Sequence, residues 1–244
     1  MSGRGVERVL DLIEWFATVP GTATLAQVAT ALDMPKSSAL QMLRSLTERG
    51  YLSRLESGAY ALVRLPGDLN GRGDNHGALL ALAGPHLTRG VEESQESGFV
   101  AVMDGIEVRY LNKVLPQREI RYDRDMTKTR AAHKVASGVV ILAHRPASEI
   151  AAYVAAAGLD AAGAQQLDAM IAKARADGFY LNLNGVVEGA SGAAAPIIGP
   201  KGLPLGAINI AGPQERMATH SAHVCDVVLR TARAVTEEIA RRAV

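Results

Sequence analysis

Apolar side chains along this chain recur with two periods, and the switch between them marks its elements. Between residues 6 and 18, Val6, Val9, Leu10, Ile13 and the Trp15-Phe16 pair fall near one side at helical spacing. Pro20-Gly21 breaks that run. Thr24 is placed to cap a second helix, "LAQVATAL", with Gln27 at its third position closing a capping box. Asp33-Met34 reads as a tight turn, and Pro35 suits the first turn of a third helix, where its missing N–H is harmless. In that helix Ala39, Leu40, Leu43 and Leu46 form one face. Arg49-Gly50 predicts its end, a cation followed by a left-handed glycine. "YLSRLESGAYAL" then shows two short alternating runs around Glu56-Ser57-Gly58, the pattern of a hairpin.

Residues 63–75, "VRLPGDLNGRGDN", are rich in Gly, Pro and Asp and read as a boundary. "HGALLALAG" predicts a helix, and Pro85 is expected to start another. "GFVAVMDGIEVRYLNKVL" predicts two strands about Asp104-Gly105. "AAHKVASGVVILAH" and "SEIAAYVAAAG" read as helices, and "AQQLDAMIAKARADGFYL" as a helix running into a strand. "AAAPIIGPKGLPLGAINIAGP" reads as strand, turn, strand, and residues from about 220 to 242 as a long helix. This second part predicts an α+β domain with a mostly antiparallel sheet.

Helix, helix, turn, helix, hairpin is the order of a winged helix-turn-helix. Its second motif helix enters the DNA major groove, which admits one α-helix. The polar side of the third helix carries Ser37, Ser38, Gln41, Arg44, Ser45 and Glu48, short groups with few long anions. Ser37 and Ser38 stand at the helix start for phosphates or base edges, and Lys36 would clamp a phosphate. Gln41 would read adenine, Arg44 guanine or a phosphate, and Arg54 sits at the base of the wing. Composition changes the picture little: 48% hydrophobic and 21% charged residues fit a folded domain or two. Net charge is +1, and residues 1–64 hold seven Lys and Arg against six Asp and Glu, so binding would rest on local placement and on doubling by a partner subunit. A polar helix face that merely meets water is the plain alternative. No apolar run reaches about 18 residues, so no membrane partner is expected. Cys225 is the single cysteine, which suits a reducing cytoplasm.

Over nearly its whole length the chain resembles the IclR family of transcriptional regulators. The likeness rests on "VERVLDLIEWFA", "TLAQVATALDMPKSSALQMLRSLTERGYL", "AVMDGIEVRYLNKV", "AAHKVASGVVILA", "ADGFYLNLNGVVEGASGAAAPI" and "LGAINIAGP". It implies a winged helix-turn-helix over 1–63, a linker helix within 64–84 and a GAF-like effector-binding domain over 85–244. It also implies homodimers or homotetramers on a pseudo-palindromic double-stranded operator, with no cofactor, metal or enzymatic activity. Carried over from that likeness, the effector site is expected near Tyr122, Ala136, Ser137, Asn182, Gly192, Asn209 and Ala211, beneath the 118–133 loop. Several positions depart from the family pattern. Asn182 stands where acids are common, Ser191-Gly192 where an Arg-Cys pair is frequent, and Asn209 and Ala211 where serines are frequent. Fewer acids and smaller side chains predict a roomier, less anionic pocket for a small organic acid, such as a hydroxybenzoate of a catabolic pathway. Tyr122 would stack on its ring, and the helix start at Ala136 and Ser137 would hold its carboxylate.

Other constellations point elsewhere. His133 is expected to cap a helix or touch the ligand. Ser137 with His133 resembles half of a nucleophile–base pair, but no third member accompanies them. His220, His223 and Cys225 are close in sequence, but Cys225 points elsewhere on a helix and no acid except Asp226 could complete a zinc set, so a helix surface with one buried cysteine is the reading. The alternatives to a DNA-binding regulator are a small-molecule enzyme or a ligand sensor without DNA binding.

Overall fold

The computed structural model describes residues 3–19, 22–62, 76–200 and 202–242. The expected break at Pro20-Gly21, the 63–75 boundary with Arg64, the side chain of Val6 and Lys201 of the "GPKG" turn lie outside that description. The chain divides into two compact units, one of Met1–Leu82 with Glu238–Val244, the other Ala83–Glu237.

The smaller unit follows the expected order: α1 (Gly3–Thr18), β1 (Thr22–Ala23), α2 (Leu25–Ala31), α3 (Lys36–Glu48), β2 (Leu52–Arg54) and β3 (Tyr60–Leu62). At the start of α2 the capping box forms in full. Thr24 Oγ1 accepts from the Gln27 N–H at 3.3 Å, and Gln27 Oε1 accepts from the Thr24 N–H at 2.8 Å. The turn between α2 and α3 holds Asp33 at φ 44°, a left-handed conformation uncommon outside glycine. Pro35 takes the N-cap position of α3. Arg49 caps its end, with Gly50 at φ 71°. β2 and β3 form the antiparallel wing, and β1, which has no signal beyond two residues, pairs with β3. Leu12, Phe16, Val28, Ala39 and Leu43 are sealed in one core.

The helix α4 (Gly77–Ser94), which enters the larger unit at Ala83, leads into β4 (Ser97–Asp104) and β5 (Glu107–Val114). The expected second start at Pro85 does not occur, because α4 runs through it as one helix. Proline there loses one intrahelical bond without ending the helix. β6 (Arg130–Ala131), a short 3₁₀ turn over 132–134, α5 (Ala136–Ala143), α6 (Ala147–Ala156) and α7 (Ala161–Asp177) follow. The chain ends with β7 (Tyr180–Asn182), β8 (Ala190–Ile198), β9 (Pro204–Pro213), α8 (Gln214–Thr219) and α9 (Ser221–Arg242). The six strands run β6-β5-β4-β9-β8-β7, each paired antiparallel, as the alternating pattern predicts. One face packs on α5 and α7 through Phe99, Ala101, Val139, Leu167 and Ile171. Gly98, one residue along β4, turns the other way against Leu87 and Val91 of α4. The Ile198 N–H donates to Thr236 Oγ1 of α9 at 3.1 Å.

Every residue of α5 is buried. Its approach to the preceding turn fixes Gly138: a Cβ there would lie 2.2 Å from the carbonyl oxygen of Ala132. Only glycine lets the helix start this close to that turn.

Candidate functional site

Two sets of polar groups stand out, one in each unit. On α3, Lys36, Ser37, Gln41, Arg44 and Ser45 are exposed and Ser38 is half-buried, while Ala39, Leu43 and Leu46 point into the core. None of those six polar side chains is bonded to another described residue, and Arg54 lies on the wing with its guanidinium 6.0 Å from the Tyr60 ring centre. The start of α3 is open as well. α2 closes its own first N–H groups with Thr24 and Gln27, whereas Pro35 offers α3 no side-chain cap. The unpaired N–H groups and positive end of a helix start suit a phosphate. The face therefore has the exposure and the donors that reading duplex DNA demands.

The second set surrounds a cavity of about 50 Å³ in the larger unit, between the start of α5, the ends of β8 and β9 and the 115–129 loop. That is room for a few water molecules. No Asp or Glu lines it, while Arg124, Arg130 and Lys134 all do. Arg124 is 8% exposed and stacks on Tyr110, its guanidinium carbon 3.6 Å from the ring centre. Its Nε and Nη2 are buried without a hydrogen-bond partner, and so is Nε of Arg130. Arg109 Nε is also without a hydrogen bond, but it has the Asp104 carboxylate 3.5 Å away. Tyr110 is buried and its hydroxyl shares a hydrogen bond with Ser137 Oγ at 2.9 Å. Burial pushes its phenol up from the ordinary value, against the pull of Arg124 and of Arg130.

The meaning of the Arg124 edge is visible elsewhere in the same unit. Nε and Nη2 of Arg216 form a side-on fork that donates to Oε1 and Oε2 of buried Glu96 at 2.5 and 2.8 Å. Arg216 Nη2 also donates to the Ile120 carbonyl at 3.1 Å, and Ser97 Oγ donates to the Tyr122 carbonyl. These bonds hold the loop that carries Arg124. The fork that Glu96 fills on Arg216 is the one left open on Arg124.

Tyr122, Ala136, Asn182, Ser191, Gly192, Asn209 and Ala211 line the cavity, where the likeness to the family places them. Ser137 does not; it stands behind Tyr110, with its hydroxyl taken by that phenol. His133 does not line the cavity either, nor does it cap α5, whose N-cap is Val135. Its N–H donates to the Tyr153 oxygen at 2.9 Å and its Nδ1 lies 2.7 Å from the same oxygen. Ser137 and His133 thus have separate partners and make no nucleophile–base pair. The expected extra room is missing too. A Cβ at Gly192 would lie 3.2 Å from Asn209 Nδ2, so the Asn209 amide fills what glycine vacates. The pocket is free of acids, as expected, but tight. Ser191 Oγ donates away from it, to the Leu183 carbonyl at 2.6 Å. Among the described residues no three His, Cys, Asp or Glu side chains gather as a metal set. Sequence reasoning missed Tyr110, Arg124, Arg130 and Lys134. The clue available was the 118–134 stretch itself, which holds four arginines and two lysines.

Known proteins share this architecture. Residues 5–56 match the IclR helix-turn-helix domain, and residues 75–237 match the bacterial transcriptional regulator IclR C-terminal domain. The HTH-type transcriptional regulator KipR of Bacillus subtilis is 24% identical over 245 residues, covering 94% of this chain and 96% of that one. The glycerol operon regulatory protein of Streptomyces griseus is 26% identical, covering 92% and 91%. An IclR homolog from Microbacterium hydrocarbonoxydans, solved in complex with 4-hydroxybenzoate, superposes with a TM-score of 0.60 at 19% identity, covering 96% and 98%; at that identity the likeness is one of fold.

Proposed function

The chain belongs to the IclR family of DNA-binding transcriptional regulators, and from that premise we propose that a small organic acid in the cavity sets its grip on an operator. The observation that carries the acid is the open Nε/Nη2 fork of Arg124, buried and stacked on Tyr110. A buried guanidinium edge without an acceptor is costly, and a carboxylate that enters there removes the cost. Ala136, at the start of α5, adds helix N–H groups on the same wall. Aromatic acids such as hydroxybenzoates, which serve catabolic operons, are the first class to test, with Tyr110 and Tyr122 as ring neighbours. A ring needs more room than the cavity offers, so binding one requires the 115–129 loop to lift from its Arg216 and Ser97 tethers.

On the DNA side, Lys36, Ser37, Ser38, Gln41, Arg44, Ser45 and Arg54 form the reading face. A homodimer or homotetramer in the cytoplasm presents two such faces to half-sites about one helical turn apart, or a multiple of it. The effector acts by binding one operator-spacing state better than another.

Gel shifts on DNA from upstream of the protein's own coding sequence test the reading, with a panel of aromatic and aliphatic acids. The expected result is a sequence-specific shift whose midpoint moves with one class of acid. A response to sugars or cations alone, or no DNA binding at any salt, contradicts it.

A further inference from the structure

The cavity wall holds more positive charge than one carboxylate can answer. Three cations line it and no acid does. The open Arg124 fork is one acceptor site, and a single carboxylate saturates it, as Glu96 does on Arg216. Arg130 Nε is a second buried donor without a partner; only Arg130 Nη1 is engaged, on the Thr129 carbonyl at 3.0 Å. Both residues line the one cavity, with Arg124 stacked on Tyr110, so the two sets of unmet donors belong to the same site. The nearby acids are already occupied. Asp123 pairs with Lys113, Asp125 with Lys128, and Glu107 accepts from Thr129.

Resting on the proposal that this cavity is the effector site, we infer that its ligand is a dicarboxylic acid, with one carboxylate on the Arg124 fork and the other on Arg130. Two like charges that line one tight, partly dry space repel, and a second ionised group on the ligand answers that repulsion where a phenol or hydroxyl does not. Two separate orphaned guanidinium groups favour two anionic ends over one compact anion such as phosphate. A short aliphatic diacid asks for less displacement of the loop than an aromatic one, because the cavity is only about 50 Å³.

Calorimetric titration of the full-length protein with matched pairs tests this: succinate against butyrate, phthalate against benzoate, with 4-hydroxybenzoate, inorganic phosphate and sulfate as further arms. The diacid of one pair is expected to bind about tenfold or more tightly than its monoacid twin. Arg130→Gln is expected to bring the two within about twofold, leaving monoacid affinity nearly unchanged, while Arg124→Gln weakens both. Monoacids binding as tightly as their diacid twins to the unaltered protein overturn the inference, without touching the wider reading if they still shift the operator complex. Phosphate or sulfate binding more tightly than every diacid overturns it as well. Tight diacid binding with no effect on DNA upholds the inference and removes the regulatory reading instead.

Discussion

Arg44 on α3 and the Nε and Nη2 atoms of Arg124 in the cavity wall both lack a hydrogen-bond partner in the protein, but the first is exposed and the second are buried. An exposed guanidinium is satisfied by solvent, so its solitude says little about its task. A buried one keeps unmet donors at a cost in stability, and under the proposed function a ligand carboxylate meets them. The DNA-reading face is thus recognised by its place in a motif, while the effector cavity is recognised by what is missing from it.

The contrast can be pressed from several sides. The largest effect is expected at Gly138, where an alanine Cβ would strike the Ala132 carbonyl at 2.2 Å. Gly138→Ala should destabilise the larger unit by about 3 kcal/mol, read by calorimetric unfolding, and abolish acid binding by displacing the start of α5. Next, Arg44→Ala should weaken operator binding by about 1–3 kcal/mol in anisotropy titrations while folding stability stays within about 0.5 kcal/mol. A variant that unfolds easily would break the claim that this side chain meets only solvent in the free protein. Arg124→Met should do the reverse. Removing an unpaired buried charge should raise the stability of the acid-free protein by about 1–2 kcal/mol, while acid binding disappears.

The smallest effect concerns pH. Burial, helped by the neighbouring charge of Lys134, holds His133 below its ordinary value of 6.5. The folded state then takes up a proton less readily than the unfolded one. Its contribution is fully present above pH 6.5 and is lost as pH falls below that value toward the depressed folded-state value. Denaturant melts of His133→Gln should show a flatter stability profile across that window, and a variant at Gln41 should not.

The same contrast explains how much was legible beforehand. The smaller unit is built from local signals: the Thr24–Gln27 box, the Arg49-Gly50 ending and the hairpin turn each act within a few residues, and all appear. The long strands β4, β5, β8 and β9 were equally plain from their alternation. Pro85 misled because a helix tolerates one lost bond when the rest of its face packs. β1 and β6 are two residues long and owe their existence to the strand beside them. The cavity was half legible. Ala136, Asn182, Gly192 and Asn209 lie on regular elements and could be carried over position by position. Arg124 and Arg130 belong to the 115–131 segment, which has almost no regular structure, and nothing periodic says that a loop arginine is buried on a tyrosine. Gly192 misled for a tertiary reason, since the amide that occupies its space comes from β9.

The central claim is that the open fork of Arg124 couples an acid to the DNA-reading face. The direct measurement is fluorescence anisotropy on the protein's own upstream DNA, with and without the tightest-binding acid, for the unaltered chain and for Arg124→Gln. The account predicts that the acid moves the midpoint of the unaltered protein by about fivefold or more, and that the variant binds DNA equally well alone but ignores the acid. A variant that responds to the acid as strongly as the unaltered protein would contradict it.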